Sequence, residues 1–264
     1  MNKVIRAEFG RTINAGLIIA IVGIIFSICF DSFNDLIAGL RNGQGYVGYF
    51  FSNAAFGGMC TKYMLPVFTA LPFSVSLCQE RNNKAVSYIV SREGKNRYIF
   101  AKFIVSAISG GFVAACGTVL LFLMLAMRFP IAGDEFEGAV VSDYFHEWSA
   151  VYYPQLYILT LSILAFCRGV IWSSLALCVS LYTSDFMVVL LSPFLGSYVL
   201  VRIFQIIRVP DMVRPDMILI GQVVIKSSGL TLIIAIAISL TIVTLIGAFF
   251  VGKMKEGLKS GTIY

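Results

Sequence analysis

The sequence predicts an all-α membrane protein of six transmembrane helices, and three observations carry that prediction. Six apolar runs, 13–30, 59–78, 103–127, 156–182, 186–204 and 230–251, alternate with polar breaks, and a spanning helix needs ~20 mostly apolar residues. Of the 264 residues, 58% are hydrophobic and 13% charged, against roughly 25% charged in soluble domains. Mean hydropathy is +0.87, more apolar surface than a water-soluble core of this length absorbs. The third observation is that the positive charge is sided. The runs are too long for the ~10-residue alternating strands of a membrane barrel. Lipid offers no water to exposed backbone, so helices remain. The whole chain, 1–264, reads as a single transmembrane domain.

The net charge is +6. Lys3, Arg6 and Arg11 precede the first run, and Arg81, Lys84, Arg92, Lys95, Arg97 and Lys102 lie between the second and third. Lys253, Lys255 and Lys259 follow the last. With six spans these regions share a side, while the other side holds most of the acids, among them Asp31, Asp134, Glu147 and Asp216. The positive-inside rule then places both termini in the cytoplasm. No small-residue cleavage site follows the first run, where Phe30-Asp31-Ser32-Phe33 stands, so it reads as a retained span and not a signal peptide.

Residues 1–13 place Val4, Ile5, Phe9 and Ile13 near one helical face, with Lys3, Arg6 and Arg11 able to reach phosphate. This predicts an interfacial amphipathic helix; the alternative is an extension of the first span. Residues 31–55 form an outer loop. Pro66 and Pro72 bend the second span. The inner loop 79–97 carries Ala85, Val86, Ile89 and Val90 on one face and Gly94 at its end, predicting a short helix across the base of the bundle. Residues 128–154 form the largest outer loop, with five acids, His146 and Trp148. Thr183-Ser184-Asp185 makes a tight inner turn. Pro210, Pro215 and Gly221 break an outer segment in which 217–225 is apolar yet too short to span, as a re-entrant or interfacial helix is. Residues 253–264 read as a short, basic, mobile tail.

Several chemistries are excluded. Gly252 and Gly257 approach the spacing of a phosphate-binding loop, but Leu258 intervenes before Lys259-Ser260, and a membrane run precedes them where a strand is required. Ser109-Gly110-Gly111 lies inside an apolar run, where small residues let helices approach closely. The chain therefore does not hydrolyse ATP by itself. The sole histidine is in an outer loop, and no run holds a nucleophile beside a base, so the chain is not read as an enzyme. No metal site is expected. The six cysteines form no C-x-x-C pair and read as buried thiols. Tyr46, Tyr49, Tyr144, Trp148, Tyr152 and Tyr153 suit an interfacial aromatic belt.

Arg168 stands near the centre of the fourth run, where insertion costs ~3 kcal/mol. It either lines a substrate path or ties subunits together, or it bonds backbone carbonyls or a hydroxyl such as that of Ser173. Lys62, near the outer end of the second run, can snorkel to the interface.

The order of parts resembles the six-span permease subunits of type-2 ATP-binding-cassette exporters: an N-terminal interfacial helix, an inner loop with a coupling helix, and a re-entrant outer segment between spans five and six. In the inner loop Glu80, the helix 83–90, Arg92, Arg97 and Lys102 match the family's order of acid, helix, base and lysine. The Gly-Thr pair common after the acid is absent, and no proline precedes Arg92. The resemblance implies ATPase coupling through Glu80, Arg81, Lys84, Tyr88, Arg92, Arg97 and Lys102. It further implies a cytoplasmic ATPase subunit that binds ATP and Mg, and a second permease copy packed through spans one and five, where Pro193, Gly196 and Ser197 suit close contact. The expected function is export of a hydrophobic or amphipathic substrate, a peptide or drug-like molecule, across a bacterial plasma membrane. Lipid is an expected partner and nucleic acid is not. The competing reading is a membrane scaffold or sensor without transport.

Overall fold

A computed structural model describes residues 2–42, 47, 50, 58–130, 153–223, 225 and 227–260. Among them all regular structure is helical: α1 (Asn2–Thr12), α2 (Ala15–Asp31), α3 (Phe33–Asn42), α4 (Met59–Ala70), α5 (Ser76–Asn82), α6 (Val86–Glu93), α7 (Lys95–Ala126), α8 (Pro154–Val179), α9 (Phe186–Ile207), α10 (Pro215–Ile220) and α11 (Ser228–Ser260). Of these, α7, α8, α9 and α11 are each long and apolar enough to cross a membrane. A fifth span is present if α1 and α2, bent by 57° where they meet, are taken together. The bend is built by Asn14, whose side-chain oxygen accepts from Leu17 N at 3.1 Å while its amide donates to the Arg11 carbonyl at 3.1 Å. One residue thus ends α1 and caps α2.

The apolar run 59–78 is not one helix. α4 stops at Ala70, residues 71–75 form a turn, and α5 begins at Ser76. Pro72 explains the break, because it has no N–H to give and its ring crowds the carbonyl four residues back. That carbonyl, of Phe68, accepts from Leu71 N instead, at 3.3 Å. Leu71, Pro72, Phe73 and Val75 border a cavity of about 650 Å³ shared with Arg11, Asn14 and Gln79. Irregular backbone is tolerated where it lines such a cavity and not where it meets lipid. Pro66 stays within α4.

α7 and α8 form the centre. A Cβ on Gly169 would stand 2.4 Å from the Gly110 carbonyl oxygen, and one on Gly110 2.3 Å from Ser173 Cβ. Ser109-Gly110-Gly111 is therefore a helix-packing surface. Beside this crossing, buried Ser74 donates to the Ser173 carbonyl at 2.9 Å and lies 3.1 Å from Ser106 Oγ. Ile24, Leu65, Val113, Leu161 and Ala235 bring α2, α4 and α11 onto the same core.

Other boundaries differ from expectation. The residues expected to be a mobile tail continue α11 to Ser260, because Phe250, Met254 and Leu258, four apart, are buried against the rest of the bundle. In the outer segment the helix is Pro215–Ile220 and not 217–225; Gly221, at φ 85°, ends it, and Ile218 and Leu219 enter the main core. Of the three small residues of α9, Pro193 and Ser197 are buried within the chain itself and Gly196 is half-buried. A Cβ on Gly196 would come 3.2 Å from the Trp172 ring. At the α10 end, Asp31 accepts from the backbone N–H of Cys60 at 2.9 Å and of Thr61 at 2.6 Å, capping α4 from the end of α2. Part of the expected outer loop 31–55 is the helix α3, while 43–46, 48–49, 51–57 and 131–152, with Tyr46, Tyr49, Tyr144, His146, Trp148 and Tyr152, lie outside the described residues, as do 224, 226 and 261–264.

Candidate functional site

At one end of the bundle α1, α5 and α7 enclose a group of charges. On α1 the buried side is Glu8 and Thr12, and Ile13, just past its end, is 80% exposed, as a residue of a membrane-facing stripe would be. Glu8 explains the orientation. Lys102 of α7, with no exposed surface, donates to Glu8 at 3.2 Å, to Glu80 at 2.8 Å and to Ser76 Oγ at 3.1 Å. Its ammonium also lies 4.7 Å from the centre of the Phe73 ring. Arg11 donates to Glu80 at 2.5 Å and to Glu8 at 3.4 Å, and the Tyr98 hydroxyl donates to the other Glu80 oxygen at 2.5 Å. Two acids meet two bases, and Lys102 uses all three of its donors. That is the condition under which a buried ammonium is tolerated.

α6 sits directly beside this cluster. Lys84, at φ 52°, turns the chain out of α5, and the Ala85 N–H donates to the Glu80 carbonyl at 2.8 Å. Gly94, at φ 87°, turns it into α7, a backbone conformation that a side chain would strain. Between these turns Val86 is fully buried, and Ile89 and Val90 pack on Leu77, Tyr98, Leu177, Phe250, Met254 and their neighbours. α6 therefore packs on α7 and joins an apolar cluster to which α5, α8 and α11 also contribute. Arg81 fastens the same corner by donating to the carbonyls of Ser180 at 2.9 Å and Leu181 at 3.2 Å, beyond the end of α8.

The seven residues implied by resemblance fall into two groups. Glu80, Arg81 and Lys102 are internal ties. Lys84, Tyr88, Arg92 and Arg97 are exposed; Tyr88 is 79% exposed and Arg92 pairs only with adjacent Glu93, at 3.0 Å. The α6 helix runs from Val86, later than the expected 83–90. Glu8, Tyr98 and Ser76 belong to the cluster and were not singled out from the sequence. Glu8 had a signal, as the one acid in a basic helix, but nothing in the spacing pairs it with a lysine 94 positions away.

A second charged region surrounds Arg168. Its guanidinium donates to the Thr61 carbonyl at 3.3 Å; Ser173 instead donates to the Val170 carbonyl. Arg168 and Lys62 line one cavity of about 170 Å³ with Trp172, Leu200, Asp216 and Ile242. Asp216 is bound by Arg214 at 2.8 and 3.2 Å, and Arg214 also reaches Asp211 at 3.2 Å. The Asp216 hydrogen bond, opposed by partial burial, holds Arg214 above its ordinary pKa. The chain matches no protein-family model, no curated protein and no solved structure.

Proposed function

We propose that the chain is the transmembrane subunit of an ATP-driven exporter that moves a hydrophobic or amphipathic substrate, a peptide or drug-like molecule, out of a bacterial cell. A separate cytoplasmic ATPase subunit would bind ATP and Mg, and a second copy of this chain or a close paralogue would complete the transporter. One observation carries the reading most: α6 presents Tyr88 and Arg92 outward while its inner face packs on α7 and into an apolar cluster shared with α5, α8 and α11. A push on that helix passes to α7 and through the cluster to the others. The same arrangement suits coupling, because energy from a soluble partner enters a membrane bundle only through a surface element joined rigidly to it.

In this reading α2 and the broken α4–α5 segment are spans one and two, and α7, α8, α9 and α11 are spans three to six. α2 has 17 residues, about 25 Å at 1.5 Å per residue, just under the hydrocarbon thickness. Six spans return the chain to its starting side. The contacts of Glu8 and of Met254 at the α6 end support cytoplasmic placement of both terminal helices. α1 would lie in the inner interface, and α10 would be the tip of a re-entrant segment. Exposed stripes on α2 (Ile18, Val22, Phe26, Phe30) and α9 (Leu191, Leu195, Val199) offer surface to lipid or a second copy.

The test is purification from the native host in mild detergent. A stoichiometric P-loop ATPase should accompany the chain. Tyr88→Ala combined with Arg92→Glu and Arg97→Glu should remove it while leaving the chain monodisperse, since none of the three is buried. A chain that purifies alone in several detergents would reject the exporter reading in favour of a scaffold.

A further inference from the structure

We propose that the cavity bounded by α4, α8, α9, α10 and α11 binds an amphiphile with an anionic head and a hydrocarbon chain, its head held by Lys62 and Arg168. Arg168 is more than nine-tenths buried and carries five N–H donors, yet among the described residues it makes one hydrogen bond, to the Thr61 carbonyl. Neither it nor Lys62 has a carboxylate within ion-pair distance among those residues. The acid in the cavity wall, Asp216, is occupied, both of its oxygens accepting from Arg214. Lys62, Arg168 and Arg214 outnumber Asp211 and Asp216, so the region carries an excess positive charge.

A second orphaned group points to the same place. The Thr61 hydroxyl is buried and has no partner among the described residues. It lines a recess of about 30 Å³ that adjoins the cavity at Arg168. Burying a guanidinium and a hydroxyl without partners is costly, and an anionic oxygen beside Arg168 satisfies the guanidinium and stands within reach of the hydroxyl. Bidentate recognition of a carboxylate or phosphate is what a guanidinium does best.

The remaining walls ask for hydrocarbon. Ile171, Trp172, Leu175, Leu200, Ile242 and Ile246 face the cavity. An apolar cavity of ~150 Å³ accepts a benzene-sized guest, so about 170 Å³ holds a head and the first part of a chain. α9 and α11 flank the cavity; α11 packs chiefly on α8, α9 packs on α4 and α8, and the two make little contact with each other. The gap between them lets the rest of a chain pass outward. A bilayer phospholipid and a free single-chain amphiphile share this chemistry, and the proposal stands whether or not the chain is an exporter.

Trp172 in the wall is a native reporter. The full chain carrying Trp148→Phe, which leaves Trp172 as its one tryptophan, is placed in phosphatidylcholine nanodiscs. Its fluorescence is titrated with brominated-chain phosphatidylglycerol, brominated-chain phosphatidylcholine and dibromostearate. An anionic probe should quench at several-fold lower mole fraction than the neutral one. Preference for phosphatidylglycerol assigns a bilayer lipid; preference for dibromostearate alone assigns a single-chain amphiphile. Lys62→Gln, at a half-buried site that does not threaten the fold, and Arg168→Gln should each remove the preference, and Arg168→Lys should keep much of it. Equal quenching by anionic and neutral chains, or a preference that survives Lys62→Gln, overturns the proposal.

Discussion

Lys102 at the α6 end and Arg168 in mid-α8 are both basic residues enclosed within apolar helices, yet their surroundings differ. Lys102 has Glu8, Glu80, Ser76 and the Phe73 ring around it; among the described residues Arg168 has one hydrogen-bond partner, a backbone carbonyl. In the first region each buried charge meets its opposite, which fixes three helices in one arrangement. In the second, positive charge is left over beside a cavity. The difference teaches that burial of a charge does not by itself say what the charge is for. A saturated cluster holds a fold together, and an unsaturated one has capacity to bind.

Three substitutions press on this comparison. The largest effect is expected for Lys102→Met, which leaves buried Glu8 and Glu80 to share the half-exposed Arg11 as their one base among the described residues. Removing one partner of a buried pair costs ~3–5 kcal/mol, so most of the folded, monodisperse protein should be lost on mild heating in detergent; an unchanged melting temperature would show that water reaches the cluster. Gly169→Ala comes next. It forces α7 and α8 apart at the Gly110 carbonyl, and overpacking of this kind costs ~1–3 kcal/mol. Unfolding followed by Trp172 emission should shift accordingly, and both charged regions should loosen because α7 carries Lys102 and α8 carries Arg168. The smallest effect is expected for Arg168→Gln in neutral lipid, under about 1 kcal/mol, since a poorly satisfied donor set is removed and glutamine can still donate to the Thr61 carbonyl. If Arg168→Gln destabilises as much as Lys102→Met, the two regions are not different in kind.

How much of this was legible in the sequence depends on distance along the chain. The apolar runs, the α6 helix with its Gly94 end and the isolation of Arg168 are local features, and each is visible within one turn or one run. The break at 71–75 was half legible: Pro72 announces a bend, but whether the helix kinks or stops depends on the cavity beside it. The helical end of α11 had a signal in Phe250, Met254 and Leu258, masked by the intervening lysines at 253 and 255. What was not legible is pairing. Glu8 with Lys102, Asp31 with the start of α4, and Lys62 with Arg168 join residues 29 to 106 positions apart (31 to 60, and 62 to 168, at the extremes). A single sequence carries no mark of such partnerships. The same holds for Gly196, whose small size foretold close packing but not that Trp172 of α8 is the neighbour.

The contact between Glu8 and Lys102 also sets an order of assembly. α1 leaves the ribosome long before α7, so Glu8 exists for a time without the lysine it will meet. Glu80 is made before Lys102 too, and until the lysine arrives Arg11 is the one base among the described residues that meets the two acids. α1 therefore gains its lysine late, and a nascent chain cut before residue 102 keeps the pair of Arg11 with Glu80 but lacks the base that joins Glu8 to Glu80 from α7.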